Sequence, residues 1–402
     1  MPLPQDGNNP IAWRIQQMNE RVKQNKAQDL YFYLQPAEAV NGAHVTINGR
    51  DMLQFASYAY LDLLGHPKIQ AAAQQALDEF GSGTHGVRIL AGTTRIHVEL
   101  EETIAQFKKA EAAIAFSSGY GTNLGVISAL LGRNDIVFSD KLNHASIVDG
   151  CLLSRSKFVR FNHNDMNDLG RKLAKAPAKT GKLVVVDAVF SMDGDVINLP
   201  EVVRLCKQHE ALLMVDEAHS VGVLGETGHG IMEHFGLDDG IDIHMGTLSK
   251  AIPAIGGYVA GDAELITYLK HTVRAFIFSA ALPPPAAAAA KTSFEVIEAE
   301  PERIKILQRN VDYFISGLRK RGFNTMNSET PIVPIIVGDD ERALLMAKFS
   351  QERDIFVLPV LSPAVPQGTS RLRANVTAGH TLDEIEYAMN VFEQAGKEVG
   401  LL

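Results

Sequence analysis

The stretch that decides the fold is IDIHMGTLSKAIPAIGGYVAG, residues 241–261, which places Lys250 between two apolar segments. The first segment carries Ile241, Ile243 and Met245, and the second follows the glycine pair at 256–257. Both segments have the length of strands, with the lysine in the loop between them. A lysine in such a loop is often only a solvated surface residue, so its role depends on its neighbours in the fold.

A second segment, ALLMVDEAHSVGVLG at residues 211–225, places ionisable side chains directly after an apolar run. The run at 212–215 is typical of a strand buried on both faces of a parallel sheet. Ligands of open α/β sheets bind at the carboxyl ends of strands, where Asp216 and His219 follow. Together with Lys250 near the end of another strand, these residues predict a pyridoxal 5′-phosphate (PLP) site. There the lysine forms a Schiff base and the carboxylate pairs with the pyridinium nitrogen.

Six blocks within residues 117–284 carry a family resemblance. They are SSGYGTNLG (117–125), DKLNHASIVDGC (140–151), VFSMDGD (189–195), VDEAHSVGVLG (215–225), GTLSKAIPAIGGY (246–258) and FSAALPP (278–284). In this order they resemble the α-oxoamine synthases, which are fold-type I PLP enzymes. That family includes 8-amino-7-oxononanoate synthase, 2-amino-3-ketobutyrate CoA ligase, 5-aminolevulinate synthase and serine palmitoyltransferase.

The resemblance implies an α/β fold, the fold-type I PLP-dependent transferase. We expect a large domain with a mostly parallel sheet covered by helices and a smaller α+β domain at the C-terminus. At 402 residues the chain is long enough for both. The expected division is an N-terminal arm and helix at 1–45, the large PLP-binding domain at 46–290 and the small domain at 291–402.

Several residues are expected to bind the cofactor. Glycine and free N–H groups at 118–120, ahead of a predicted helix at 121–131, favour a phosphate. The resemblance implies that His144 stacks on the pyridoxal ring, that Ser191 and His219 approach its phenolic oxygen and that Thr247 contacts its phosphate. The full set of expected cofactor-binding residues is Ser118, Gly119, Tyr120, His144, Ser191, Asp216, His219, Thr247, Lys250 and Ser279.

The implied reaction is a decarboxylative Claisen condensation of a small amino acid with an acyl thioester, which gives an α-amino ketone. Arg373 matches the family arginine that grips the substrate carboxylate, and His144 also contacts the substrate. The expected catalytic residues are Lys250, His144, Asp216 and His219. Glycine, alanine and serine all remain open as the amino acid, and the thioester is expected on CoA or on an acyl carrier protein. Ser279 has its role only across an interface, so a homodimer with a shared site is expected.

Alternatives remain for the function, and some positions depart from the family pattern. Another fold-type I PLP reaction, such as an aminotransferase or an aldolase, would share Asp216 and Lys250. A non-catalytic subunit of a heteromeric synthase would lack the lysine, which is present here. Ala280 replaces a threonine of some members, and Leu361 stands where some relatives have a second arginine.

Composition excludes several classes of function. The net charge is −9, with both signs interspersed, so nothing indicates a nucleic-acid partner. No apolar run reaches the roughly 20 residues of a membrane helix, and the start MPLPQDGNNP is unlike a signal peptide. The two cysteines, Cys151 and Cys206, are expected to be buried small residues rather than a disulfide framework. A cytoplasmic protein without a metal site is expected.

Local patterns add predictions that the structure can test. The Asn48-Gly49 pair predicts a type I′ turn in a hairpin over 44–56, and Pro67 opens a helix expected at 67–80. The stretch 362–381 contains no predicted helix or strand, and Arg371 within it is expected at the surface. GSGTHG at 81–86 matches a dinucleotide fingerprint but lacks the strand before it and the helix after it.

Overall fold

The computed structural model of the chain describes residues 9–402. The helices are α1 Pro10–Ala27, α2 Pro67–Phe80, α3 Arg95–Lys108, α4 Gly119–Leu130, α5 Ala145–Ser154, α6 Met166–Ala174, α7 Leu199–His209, α8 Ile231–Phe235, α9 Ala263–Thr272, α10 Arg274–Ile277, α11 Pro284–Ala299, α12 Glu302–Lys320, α13 Asp340–Gln351 and α14 Leu382–Glu398. The strands are β1 Ala39–Asn41, β2 His44–Ile47, β3 Arg50–Gln54, β4 Ala112–Phe116, β5 Ile136–Asp140, β6 Lys157–Phe161, β7 Lys182–Asp187, β8 Leu212–Asp216, β9 Ile243–Ser249, β10 Pro253–Gly261, β11 Ile332–Gly338, β12 Ile355–Phe356, β13 Leu358–Val360 and β14 Ser370–Asn375.

A central sheet of seven strands carries the site. Its order is β4-β10-β9-β8-β7-β5-β6, and every neighbouring pair from β9 to β6 is parallel. Strand β10 runs antiparallel to both β4 and β9. Since the carboxyl ends of parallel strands meet at one edge, Asp187, Asp216 and Ser249 come together there. Lys250 follows Ser249 directly, so the predicted α/β fold with a mostly parallel sheet is confirmed.

Two glycines bring helix α4 close to the lysine loop. A Cβ on Gly257 would lie 2.7 Å from the Cα of Gly119, the first residue of α4. Gly256 has a φ of +118°, and a Cβ there would lie 2.5 Å from the carbonyl oxygen of Phe116. These close approaches need glycine, because no larger residue could occupy them without moving the backbone. They set the start of α4 against strand β10, beside Lys250.

The C-terminal part forms a small antiparallel sheet, in the order β11-β14-β13. Helices α12, α13 and α14 belong to the same part of the chain. Strand β14 was not predicted, since the sequence analysis assigned neither a helix nor a strand to residues 362–381. From Arg371 to Asn375 its residues alternate between polar and apolar, as in a strand with one polar face, and all six residues of the strand are buried. The strand holds only two apolar residues and its flanks PQGT and VTAGHT are typical of loops, so the short alternation was not recognised.

The N-terminal hairpin is confirmed. Asn48 and Gly49 have φ values of +52° and +71°, as a turn with two left-handed residues requires. Strand β3 of this hairpin also pairs in parallel with β12, which lies some 300 residues later in the chain. Helix α2 has the predicted bounds, and helix α1, Pro10–Ala27, lies within the segment predicted as an N-terminal arm and helix. The division at residues 45 and 290 stays a prediction.

The remaining predictions about the chain as a whole concern cysteines and membranes. Cys151 and Cys206 are both free and buried, as predicted, and burial raises the pKa of each thiol to about 12. Within residues 9–402, no helix has both the length and the apolar character needed to cross a bilayer. The cytoplasmic location stays a prediction.

Candidate active site

A cavity of about 400 Å³ lies at the carboxyl edge of the central sheet. Most of the residues predicted from the sequence line it. They are Ser118, Gly119, Tyr120, His144, Ser191, Asp216, His219, Thr247, Lys250 and Arg373. Ser279 does not line this cavity and is exposed at the surface. The fold therefore brings together ten residues from six separate segments of the sequence.

Lys250 supplies the amine of the cavity. Its Nζ lies 2.9 Å from His219 Nε2. Burial lowers the pKa of Lys250 to about 8, although the carboxylates of Asp216 and Asp187 act in the opposite direction. An amine with this pKa is partly unprotonated near neutral pH, so it can act as a nucleophile or as a base.

Asp216 supplies a carboxylate held by neutral donors. One oxygen accepts a hydrogen bond from Asn123 Nδ2 at 2.7 Å, and the other accepts one from the Ala218 backbone N–H at 2.9 Å. The residue is only 4% exposed. Neither donor carries a charge, so the carboxylate keeps its full attraction for a cation in the cavity. Burial, together with the charge of Asp216, raises the pKa of the neighbouring Asp187 well above its usual range.

His144 stands at the start of helix α5 with a defined ring orientation. Its Nδ1 accepts a hydrogen bond from the Ser146 backbone N–H at 3.3 Å and lies 2.8 Å from Ser146 Oγ. Burial lowers the pKa of His144, and Lys250 lowers it further. A neutral ring whose Nδ1 accepts must carry its proton on Nε2, which leaves that nitrogen as a donor.

The start of helix α4 offers a binding site for an anion. The Ser118 side chain accepts from the Gly121 N–H at 3.2 Å and so caps the helix. The N–H groups of Gly119 and Tyr120, in the first turn, have no acceptor within the helix. A Cβ on Gly119 would lie 2.9 Å from Thr247 Oγ1, which shows how closely strand β9 approaches this turn. A helix N-terminus with a hydroxyl beside it suits a phosphate group.

Arg373 places a free donor in the same cavity. Its Nε donates to the Ser191 carbonyl oxygen at 2.7 Å and its Nη1 to Asn375 Oδ1 at 3.0 Å. Within residues 9–402, Nη2 is buried and has no hydrogen-bond partner. The guanidinium carbon lies 4.9 Å from the centre of the Tyr58 ring. A buried cationic donor without a partner is costly, so this geometry suits a bound carboxylate.

Comparison with known proteins places this arrangement in a family. The chain matches the family described as aminotransferase class I and II over residues 50–392. It is 44% identical to a serine palmitoyltransferase of Sphingobacterium spiritivorum, over 96% of this chain and 97% of that one. It is also 44% identical to an 8-amino-7-oxononanoate synthase of Geobacter sulfurreducens, over 98% and 99% of the two chains. A solved structure of serine palmitoyltransferase with PLP matches with a TM-score of 0.95 at 34% identity, over 98% and 100%.

The chain belongs to the aminotransferase class I and II family and, within it, to the α-oxoamine synthases. Members of this family are PLP-dependent acyltransferases, so the predicted enzyme class and cofactor are confirmed. The cavity of this α-oxoamine synthase also fits the cofactor on its own geometry. It is lined by an amine, a buried carboxylate, a helix N-terminus for a phosphate and the imidazole ring of His144.

For this synthase the structure corrects the prediction made for Arg371 and adds Asn123, which was not predicted. Arg371 was expected at the surface, but it is 2% exposed and donates to the carbonyl oxygen of Met192 and to Asp193 Oδ1. It therefore fixes the loop that carries Ser191 to the C-terminal sheet. Asn123 was missed, although it joins Asp216 to Ser146 through its Nδ2. An asparagine inside the apolar helix GYGTNLGVISAL was the signal that could have found it.

One further cluster of the synthase contains groups that metals can bind. The ligand atoms of His163, Asp193 and Asp195 lie within 4.8 Å of one another. His163 already contacts Asp140 at 3.1 Å and Asp195 at 2.8 Å, and Asp193 pairs with Arg371. These groups form an ion-pair network, in which Asp195 Oδ1 is buried and has no hydrogen-bond partner within residues 9–402. The expectation that the protein has no metal site stays a prediction.

Proposed function

We propose that this synthase catalyses the decarboxylative condensation of L-serine with a fatty acyl-CoA, giving an α-amino ketone, CoA and CO₂. The observation that carries the proposal is the meeting of Lys250, Asp216 and Arg373 in one cavity. Binding of PLP requires an amine and a carboxylate, and binding of an amino acid beside it requires a cation such as a free guanidinium. The catalytic residues in this proposal are Lys250, His144, Asp216 and His219.

Lys250 is the proposed attachment point and base. PLP, when bound, supplies an electron sink for the charge that develops on the amino-acid carbon. As a free amine, Lys250 has a pKa that burial lowers to about 8, which would suit the removal of a proton from the amino-acid carbon near neutral pH. Asp216 would pair with the ring nitrogen of the cofactor and favour its protonated form, because the two hydrogen-bond donors to this carboxylate are uncharged.

The two histidines and Arg373 orient the reacting groups. The Nε2–H of His144 is the proposed donor to the substrate, and the His144 ring would stack on the cofactor. His219 is the proposed donor to the phenolic oxygen, with Ser191 close by. Arg373 is the proposed grip on the amino-acid carboxylate, through the Nη2 that has no partner among residues 9–402.

The phosphate has its proposed contacts at the start of helix α4. These are the first-turn amides of Gly119 and Tyr120, the Ser118 side chain and the hydroxyl of Thr247. The close approach of Gly119 to Thr247 supports this assignment, since both then face the same group.

Serine and a fatty acyl-CoA are proposed from the comparisons. The solved structure with a TM-score of 0.95 is a serine palmitoyltransferase, and so is one relative at 44% identity. Glycine and alanine are the competing amino acids, and an acyl carrier protein is the competing thioester. Leu361, in place of a second arginine, lies outside the cavity and is 8% exposed.

A homodimer is part of the proposal. Phe278 is 70% exposed and Ile255, at the cavity wall, is 53% exposed. Large apolar side chains beside a site favour an interface. In a dimer, the exposed Ser279 would contact the phosphate in the neighbouring subunit.

The test uses the purified enzyme loaded with PLP. Serine, alanine and glycine are first added separately, and the visible spectrum is recorded for each. Acyl-CoAs of increasing chain length are then added, and the release of free thiol is measured. The proposal expects the spectrum to respond to serine at the lowest concentration, with thiol released fastest from long-chain acyl-CoA. A response to alanine or glycine alone would refute serine, and a spectral response without thiol release from any acyl-CoA would refute the CoA thioester.

A further inference from the structure

We propose that Tyr60 is a positioning residue that holds His219 in the tautomer whose ring proton lies on Nε2, facing Lys250. The proposal rests on the roles given above to His219 and Lys250. It assigns a task to a buried residue that does not line the cavity.

Tyr60 lies directly behind His219. Its hydroxyl is 2.8 Å from His219 Nδ1, and the residue is completely buried. The other ring nitrogen of His219, Nε2, is 2.9 Å from Lys250 Nζ. The two nitrogens of one imidazole therefore face two different partners, with the tyrosine on the side away from the cavity.

The hydroxyl of Tyr60 has a proton that needs an acceptor. Within residues 9–402, His219 Nδ1 is the one acceptor recorded within hydrogen-bond distance of this hydroxyl. A buried O–H without an acceptor is costly, so the arrangement in which Tyr60 donates to Nδ1 is favoured. An Nδ1 that accepts has no proton of its own, and in a neutral ring the proton is then on Nε2.

The charges around His219 keep its ring neutral. Burial lowers the pKa of His219 well below its ordinary value, and the positive charges of Lys250 and Arg373 lower it further. Burial also raises the pKa of Tyr60, so its hydroxyl keeps its proton. The groups that face the imidazole are Tyr58, Tyr60, His144, Lys250 and Arg373. A neutral ring carries one proton, so His219 has two possible tautomers, with the proton on Nδ1 or on Nε2.

The tautomer of His219 determines whether Nε2 presents a hydrogen-bond donor or an acceptor to Lys250. With its proton on Nε2, His219 donates a hydrogen bond into the cavity. This bond would stabilise either an unprotonated Lys250 nitrogen or an anionic oxygen of the cofactor. A proton on Nδ1 would instead leave Nε2 as an acceptor for a lysine ammonium, and would leave the Tyr60 hydroxyl proton without a partner. Tyr60 thus favours the unprotonated state of the Lys250 nitrogen through His219.

A matched pair of variants isolates the effect. Tyr60→Phe removes a buried hydroxyl that has a partner. Tyr258→Phe removes a hydroxyl that is equally buried and has no hydrogen-bond partner within residues 9–402. The measurement is the pH titration of the visible absorption of each PLP-loaded enzyme, because this absorption follows the proton on the Lys250 nitrogen.

We expect the titration midpoint of Tyr60→Phe to lie about one pH unit above that of the wild type, the size expected for the loss of one hydrogen bond. The midpoint of Tyr258→Phe should stay at the wild-type value. Equal midpoints in all three folded proteins would overturn the proposal.

A second measurement on the wild-type holoenzyme decides the matter if Tyr60→Phe does not fold. Long-range ¹H–¹⁵N correlation spectra of ¹⁵N-histidine-labelled protein report which ring nitrogen carries the proton, with His219→Gln used to assign the signal. A proton on Nε2 is expected, and a proton on Nδ1 would overturn the proposal. Both readouts are independent of thiol release, so they separate a failure of this proposal from a failure of the proposed reaction.

Discussion

Two adjacent carboxylates at the end of strand β8 lie in opposite environments. Asp216 faces the cavity and accepts hydrogen bonds from the uncharged Asn123 and from a backbone N–H. Glu217 is completely buried and lies 2.8 Å from Lys108 Nζ and 3.0 Å from His244 Nδ1. Burial alone would raise the pKa of Glu217, but the charges of Lys108 and His244 lower it to about 2.

The difference shows how one strand end serves both chemistry and folding. The charge of Glu217 is balanced inside the protein by the ammonium of Lys108, and His244 Nδ1 donates a further hydrogen bond to it. The charge of Asp216 has no partner of that kind in its hydrogen bonds, so it remains for a cation brought in by a ligand. Successive side chains of a strand point to opposite sides, which is why neighbours in sequence can differ so completely. Of the four predictions below, the first tests the cation beside Asp216 and the other three test the contrast between Asp216 and Glu217.

Removing the amine of the cavity should have the largest effect. Lys250→Ala should lower turnover by more than about 10⁴-fold, because it removes both the attachment point and the base. Thiol release from acyl-CoA measures the loss, with the visible spectrum as a check that PLP still binds. Appreciable turnover by this variant would refute the role of Lys250.

Neutralising the buried carboxylate should damage the fold. Glu217→Gln leaves Lys108 buried without its counter-charge, and we expect a loss of about 3–5 kcal/mol in the free energy of unfolding. Urea denaturation gives this value. Where enough of the variant folds, its PLP spectrum should be that of the wild type. A loss below about 1 kcal/mol would contradict the structural role of the Glu217 pair.

Neutralising the cavity carboxylate should damage the chemistry instead. Asp216→Asn keeps the shape of the side chain but removes the charge at the ring nitrogen, so turnover should fall by at least about 10²-fold. The free energy of unfolding should change by only about 1 kcal/mol. Wild-type turnover in this variant, or a loss of stability as large as that of Glu217→Gln, would erase the contrast between the two residues.

The same contrast should appear as a pH dependence of stability. Because the folded pKa of Glu217 lies below its unfolded value, its contribution is present above about pH 4.5 and is lost as the pH falls towards 2. A shift of this size is worth about 3 kcal/mol. Urea denaturation at a series of pH values should show this decline in the wild type and a smaller one in Glu217→Gln. Equal slopes would contradict the assigned pKa.

Much of the site could be predicted from sequence because its chemistry is unusual. A lysine, an aspartate and a histidine after strand-like runs indicated the edge of the sheet at which they meet, and the resemblance added His144 and Arg373. Strand β14 was missed because it holds only two apolar residues, and its buried Arg371 and Arg373 have partners in the loop at 191–193. Burial of an arginine depends on a partner far away in sequence.

The supporting residues could not be predicted for a related reason. Asn123 contacts a side chain 93 residues away, and Tyr60 contacts one 159 residues away. A tyrosine in an apolar segment is typical of any core, and only the folded chain shows that its hydroxyl meets His219. The contrast between Asp216 and Glu217 is hidden in the same way, since the sequence gives no sign of which one Lys108 approaches.

The most direct test of the proposed reaction is its stoichiometry. Enzyme loaded with PLP is given carboxyl-labelled serine and palmitoyl-CoA, and labelled CO₂ and free thiol are measured together, with Lys250→Ala as the control. The account predicts one CO₂ for each thiol and neither product from the control. Thiol without CO₂, CO₂ without thiol, or transfer of the amino group to an added keto acid in place of both, would contradict it.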